Sequence, residues 1–146
     1  MAAPIPPDIR LKLDLTLAQW RVWDCQPKLE GQPSLVRPLT GGLSNYTLLV
    51  GGEQKFVVRI DGDRAHSNRL SRATEWRVLQ RAFEAGIAPR PRYFNPDLGA
   101  LVCDYHEPLA QQAASPHQIA ELLRSIHSLP RVHYKVDLKQ RLAAYE

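Results

Sequence analysis

A glycine-containing turn holds the first residues that could take part in chemistry. Between two segments with strand-like patterns, residues 39–45 read Leu-Thr-Gly-Gly-Leu-Ser-Asn. Gly41 and Gly42 would let the backbone approach an anion, and consecutive N–H groups there would form a donor surface for phosphate oxygens. Ser44 and Asn45 could add side-chain donors. Because two glycines between strands also make an ordinary hairpin, the turn by itself leaves both interpretations open.

A single arginine in an apolar segment is the second candidate. Arg59 lies on a predicted strand otherwise rich in Phe, Val and Ile, where an unpaired charge would carry a desolvation cost. Its partner could be Glu75, at the edge of the packing face of the following predicted helix. Alternatively, Arg59 reaches solvent at a strand edge and Glu75 pairs within its own helix with Arg72 or Arg81. The residue types alone do not choose between these two arrangements.

Five predicted strands and one intervening helix must position these groups. Gly51 and Gly52 predict a tight turn of positive φ between the second and third strands. Ser115 predicts a helix N-cap, followed by a proline and by a capping-box glutamine. Strands followed by helices indicate an α+β fold. The predicted strands are residues 34–39, 46–50, 55–60, 93–94 and 100–105, and the predicted helices are residues 15–24, 69–85, a segment beginning at 115, and 137–145.

The third strand has two different faces. Phe56, Val58 and Ile60 alternate with Val57 and Arg59, so the first three side chains share one side of the sheet and the other two share the opposite side. Any ligand held by the arginine would therefore meet the valine as well.

Composition and charge limit the classes of partner. At 146 residues the chain is long enough for one compact domain and too short for two ordinary ones. A net charge of +4, from 19 Lys and Arg against 15 Asp and Glu, could attract phosphates. The arginines of residues 59–92 alternate with acidic and apolar residues, and no stripe of basic and aromatic residues suited to stacking bases is present. We expect a mixed, solvated surface, and nucleic acid is not an expected partner.

Other features of the sequence predict no membrane span, no metal site and no thiol-based redox site. No long apolar run is present, and the N-terminus lacks a secretory signal, so we expect no membrane span and a cytoplasmic location. Cys25 and Cys103 lack CxxC spacing and are expected to be buried or half-buried free thiols. The carboxylates of residues 61–63 should lie in a solvated turn, and the histidines show no metal spacing.

Five motifs in order resemble the choline and ethanolamine kinases. The resemblance extends over residues 34–145 and implies the fold shared by protein kinases and aminoglycoside phosphotransferases, in which ATP lies between a five-stranded N-terminal lobe and a helical C-terminal lobe. It divides the chain into an N-terminal extension (1–33), a nucleotide-binding lobe (34–106) and the start of a helical lobe (107–146). The motifs are Gly-Gly-Leu-Ser-Asn at 41–45, Phe-Val-Val-Arg-Ile-Asp-Gly at 56–62, Arg-Ala-Thr-Glu at 72–75, Ala-Gly-Ile-Ala-Pro at 85–89, and the segment from Tyr93 to Tyr105.

The resemblance gives the glycine turn and the arginine a role at the phosphates of ATP. Gly41 and Gly42 would lie over the phosphates, with Ser44 and Asn45 at the tip of the loop. Arg59 would take the place of the phosphate-binding lysine of protein kinases. Glu75 would orient it, as in the strand-to-helix ion pair of that fold.

The same resemblance predicts where adenine would bind. Val57, on the same face as Arg59, would cover the ring, and Leu39 and Tyr46 could complete an apolar slot. Backbone groups of residues 104–106, which are Asp104, Tyr105 and His106, would contact the adenine edge.

The groups that would complete catalysis are not in this sequence. The family takes its catalytic carboxylate from a His-x-Asp-x-x-x-x-Asn loop and its Mg²⁺ ligands from that loop and a later aspartate, and neither motif occurs in residues 1–146. We therefore expect an ATP-binding part of a small-molecule kinase that is inactive alone, with Mg²⁺ held by residues outside it. Choline or ethanolamine is the first-choice hydroxyl acceptor, with aminoglycosides, thiamine and homoserine as alternatives. A non-catalytic module that binds nucleotide or protein is the alternative from a different class.

Overall fold

The computed structural model describes residues 4–39, 45–52, 54–62, 72–108 and 114–131. Within these residues, a five-stranded sheet has the order β1-β2-β3-β5-β4, and every neighbouring pair of strands is antiparallel. The strands are β1 (Ser34–Leu39), β2 (Asn45–Gly51), β3 (Lys55–Asp61), β4 (Pro91–Asn95) and β5 (Ala100–Asp104), and the helices are α1 (Pro7–Ala18), α2 (Arg72–Glu84) and α3 (Pro116–His127), with a short 3-10 turn at Trp20–Val22. The α+β fold class predicted from the sequence is confirmed.

Strand β3 lies at the centre of the sheet and separates two chemically different sides. Phe56, Val58 and Ile60 are each at most 1% exposed, whereas Val57 and Arg59 are half-buried. The alternation predicted from the sequence is therefore confirmed, and the apolar side of β3 forms the main core.

Helix α1 covers that apolar side, and its position corrects the sequence prediction. It begins at Pro7 rather than at residue 15, because proline is well suited to the first helical position. Ile9, Leu13 and Leu17 follow at intervals of four residues, are at most 3% exposed and join the core of the sheet. The predicted second half of the helix is a 3-10 turn followed by an extended Trp23. Residues 7–23 therefore share one core with the strands.

Helix α2 packs against β4 and ends where the sequence predicted. Gly86 takes φ 74°, and its N–H donates to the Phe83 carbonyl at 2.8 Å, which closes the last turn. Residues 69–71 of the predicted helix, like the predicted helix at 137–145, lie outside the described residues.

The turn between β4 and β5 is closed by the side chain of Asn95. The Asn95 side-chain oxygen accepts the N–H groups of Asp97 and Leu98 at 3.0 and 3.1 Å, and Gly99 takes φ 58°. By contrast, the prediction of positive φ at Gly51 and Gly52 is wrong: Gly51 ends β2, and neither glycine has a positive φ.

Helix α3 begins with the predicted capping box. The Ser115 hydroxyl accepts the Gln118 N–H at 3.2 Å, and the Gln118 side chain accepts the Ser115 N–H at 2.8 Å. Its apolar residues are between 44% and 48% exposed, namely Ile119, Leu122, Leu123 and Ile126. Across the described segments, no helix combines the length and apolar character that crossing a bilayer requires.

Candidate functional site

An ion pair joins the centre of the sheet to helix α2. Arg59 Nη1 lies 2.5 Å from Glu75 Oε1, and the two side chains are 37% and 18% exposed. Of the two arrangements that the sequence left open, the structure has the one that links strand to helix. The carboxylate is the more buried partner, so the pair holds a cation at a face of the sheet while leaving it accessible to solvent.

The strand register shows which residues share that face. Arg59 lies opposite Thr47 of β2 and Leu101 of β5, and directly opposed residues in antiparallel strands project to the same side. One row further along, Val57 lies between Leu49 and Cys103. The cation therefore adjoins an apolar surface that includes Val57, as the strand pattern predicted.

The strand register also assigns the residues beside the glycine turn to the two faces of the sheet. Leu39 lies opposite Thr47 and so falls on the Arg59 side, as does Asn45, which lies opposite Asp61. Tyr46 lies opposite Ile60, on the side covered by α1, so its predicted part in the apolar slot is wrong. The phosphate-facing candidates Gly41, Gly42 and Ser44 lie outside the described residues.

The end of β5 is fixed by hydrogen bonds that sequence reasoning missed. Arg92 donates to both oxygens of the Asp104 carboxylate, at 2.6 and 2.8 Å, and to the Asp24 carbonyl at 2.7 Å. Because an arginine fork matches a carboxylate in two parallel bonds, Asp104 is held firmly in place. The hydrogen bond to the Asp104 carboxylate raises the pKa of Arg92. No local sequence pattern signals a contact between these residues.

Residues 104–106, the hinge that was predicted to contact the adenine edge, differ in whether their backbone N–H groups already donate to carbonyls. The Asp104 N–H donates to the Arg90 carbonyl at 3.0 Å, and the Tyr105 N–H donates to the Lys55 carbonyl at 3.2 Å. Both amides are therefore engaged within the sheet. His106 is exposed, and its N–H donates to no backbone carbonyl of the described residues, so it is the amide of the three best suited to a ligand.

A surface ion pair follows the hinge. Lys55 Nζ lies 2.9 Å from Glu107 Oε1, and the Tyr105 hydroxyl donates to the other carboxylate oxygen at 3.2 Å. The hydrogen bond from Lys55 lowers the pKa of Glu107 and, in return, raises the pKa of Lys55. The first residue of β3 is thereby tied to the segment that leaves β5.

The two cysteines are buried free thiols, as predicted. Burial raises the pKa of Cys103 to about 11, against a smaller lowering effect of Arg59, and burial also raises the pKa of Cys25. A thiol with so high a pKa is protonated at neutral pH and is a poor nucleophile. Cys103 therefore contributes apolar surface rather than covalent chemistry.

The carboxylate after β3 does not lie in the solvated turn that the sequence predicted. Asp61 is the last residue of β3 and is half-buried. Its carboxylate lies against Gly99, because a Cβ added at Gly99 would be 2.6 Å from Asp61 Oδ2. Throughout the described ranges, no group of three or more His, Cys, Asp or Glu residues could hold a metal ion. The Mg²⁺ expected with ATP would take its ligands from residues outside this sequence, and that expectation stays a prediction.

An aromatic contact beside the ion pair was also missed. The Trp76 ring stacks on Phe94 of β4, with centroids 5.5 Å apart and planes at 12°. The sequence signal that could have indicated this contact is the position of Trp76 directly after Glu75 in the helix. The contact fixes α2 to the edge strand.

Comparisons with known proteins support the fold. The sequence matches no family model and no curated protein. The structure is similar to a crystal structure, at 2.55 Å resolution, of a choline/ethanolamine kinase family protein from Mesorhizobium loti, with 22% sequence identity and a TM-score of 0.57. The match covers 92% of this chain and 45% of that chain, so the chain spans less than half the length of that protein. The chain therefore has the α+β fold of the kinase-like N-terminal lobe of a choline/ethanolamine kinase family protein, as its motifs predicted.

Proposed function

We propose that this chain is the ATP-binding lobe of a member of the choline/ethanolamine kinase family, which transfers the γ-phosphate of ATP to a hydroxyl group of a small molecule. The observation that carries the proposal is the ion pair between Arg59 and Glu75, at 2.5 Å on the face of the sheet opposite α1. The similarity in fold to a choline/ethanolamine kinase family protein supports it.

The chemistry of the pair suits a nucleotide phosphate. A guanidinium has five N–H donors in a planar fork, so one that binds a carboxylate can still contact phosphate oxygens. Glu75 holds the cation in one orientation, and hydrogen bonds to charged groups are stronger than neutral ones. In this proposal Arg59 binds the phosphates, and the glycine turn at residues 40–44 donates backbone N–H groups to them.

The adenine would lie on the apolar surface next to the cation. Val57 and Leu49 are direct cross-strand neighbours on the Arg59 side, and the exposed residue His106, with its backbone amide, follows the end of β5. An apolar floor with a backbone donor at its edge is a common way to bind a planar base. With their amides engaged, Asp104 and Tyr105 would contact the base through other backbone groups.

The acceptor and the metal would bind elsewhere in the whole protein. Choline or ethanolamine is our first choice of acceptor because of the family resemblance, and aminoglycosides, thiamine and homoserine are the alternatives. Since residues 1–146 contain no His-x-Asp-x-x-x-x-Asn motif, a lobe that binds nucleotide without transferring phosphate is the second candidate.

Titration of the chain with ATP, followed by amide NMR, tests the binding proposal. We expect shifts concentrated at Val57, Arg59 and His106. Arg59→Ala should weaken binding by about ten- to a hundredfold, since loss of a charged hydrogen bond costs about 1.5–3 kcal/mol. Arg81→Ala, which removes an exposed cation from α2, is the matched control and should bind ATP like the wild type. Equal losses in both variants, or no localised shifts, would overturn the assignment of the site.

A further inference from the structure

Two consecutive residues of α2 contact two positions of one cross-strand row of the sheet. The two positions are Arg59 of β3 and Phe94 of β4, and Leu101 of β5 lies between them. Glu75 contacts the arginine, and Trp76 stacks on the phenylalanine. Because strands lie about 4.8 Å apart, the backbone positions of Arg59 and Phe94 are about 10 Å apart across the sheet.

The two contacts differ in rigidity. A glutamate side chain has several rotatable bonds, and ordering it in one geometry costs conformational entropy. The stacked rings have fewer rotatable bonds, and aromatic pairs add about 0.5–1.5 kcal/mol beyond the area that they bury. The aromatic contact is therefore suited to fixing the rotation of the helix about its own axis, which decides where the neighbouring carboxylate points.

Other residues of the helix face agree with this arrangement. Glu75, Trp76, Leu79 and Ala82 are the half-buried positions of α2 after the buried Thr74, at the spacing of one helical face. The other aromatic residue of the helix, Phe83, is 39% exposed and contacts Arg90. Trp76 is therefore the aromatic residue of α2 that joins the helix to the row containing Arg59.

We propose that Trp76 is a positioning residue, which fixes the rotation of α2 on Phe94 and so presents Glu75 to Arg59. The effect of Trp76 on nucleotide binding rests on the proposed function, whereas the effect of Trp76 on the ion pair does not. A tryptophan that only fills space would stabilise the fold without changing how strongly Arg59 and Glu75 are coupled.

A double-mutant cycle on the full chain measures that coupling. Arg59→Gln, Glu75→Gln and the double variant are unfolded in urea, and the cycle isolates the pairwise term. We expect the pair to change the unfolding equilibrium constant about fivefold in the wild-type background. In a Trp76→Ala background the coupling should disappear, and in Trp76→Phe it should be retained because the stacked ring remains.

The controls separate positioning from simple loss of stability. Phe83→Ala removes an aromatic ring from the same helix and should leave the coupling at its wild-type value. If Trp76→Ala does not fold, Trp76→Leu keeps apolar volume without a ring and should also lose the coupling. Undiminished coupling in these alanine or leucine backgrounds, or an equal loss in Phe83→Ala, would overturn the proposal.

Binding of ATP then distinguishes the two proposals from one another. If ATP binds the wild type and binds Trp76→Ala several-fold more weakly, with Trp76→Phe restored, both proposals are supported. If the coupling depends on Trp76 but ATP does not bind the wild type, the positioning role stands and the proposed function fails. If ATP binds the wild type but the coupling is independent of Trp76, the proposed function stands and the positioning role of Trp76 fails.

Discussion

Replacement of Leu13 by alanine should destabilise the chain strongly, because α1 is part of the core of the sheet. Leu13 is 0% exposed and belongs to the same buried cluster as Phe56 and Val58. The substitution removes three buried carbons, which at about 0.8 kcal/mol each costs about 2.4 kcal/mol of transfer free energy. The cavity left behind raises the expected loss to about 3–4 kcal/mol of the free energy of unfolding.

Leu11→Ala is the matched control on the same helix. Leu11 is 60% exposed, so its replacement should change the free energy of unfolding by no more than about 0.5 kcal/mol. Urea unfolding followed by circular dichroism and tryptophan fluorescence measures both, and Trp23, buried against Phe56 at a centroid distance of 5.4 Å, reports on this region. Similar midpoints for the two variants would refute the conclusion that residues 7–23 share a core with the strands.

Three further predictions test local features. Gly99→Ala should cost about 1–3 kcal/mol, because φ is 58° and a Cβ would meet a carboxylate at 2.6 Å, whereas Gly31→Ala, with open space, should be near neutral in urea unfolding. The pKa of Cys103 is raised from 9.0 to about 11 in the folded chain, so the free energy of unfolding should fall as pH rises from 9 to 11, and Cys103→Ala should reduce that fall. Ser115→Ala should destabilise α3 by about 1 kcal/mol, seen as faster amide hydrogen exchange in that helix, and Ser125→Ala should not. An unchanged exchange rate, pH profile or unfolding midpoint would contradict the corresponding prediction.

Features that depend on local sequence could be predicted. The alternation along β3, the capping box at Ser115 and the stop at Gly86 each depend on residues within a few positions of one another. The α+β fold class followed from them. The pairing of Arg59 with Glu75 could be stated as one of two alternatives, because the desolvation cost of a buried charge requires a partner but does not name it.

Features that depend on strand register and on long-range packing could not be predicted. Tyr46 was assigned to the wrong side because its cross-strand partner, Ile60, is fixed by register. The bonds from Arg92 to Asp104 join two strands through side chains with no periodic signal. The start of α1 was missed because a proline can interrupt a helix as well as open one, and here Pro7 opens it.

The alternation along β3 divides two tasks among neighbouring residues. Substitutions at Phe56, Val58 or Ile60 act on how stably the chain folds, and substitutions at Val57 or Arg59 act on the side where we propose that a ligand binds. Selection for a different ligand could therefore change every second residue while the hydrophobic interior kept its composition. A single-residue insertion within the strand would have no such freedom, because it would exchange the two sets of side chains and damage both tasks at once.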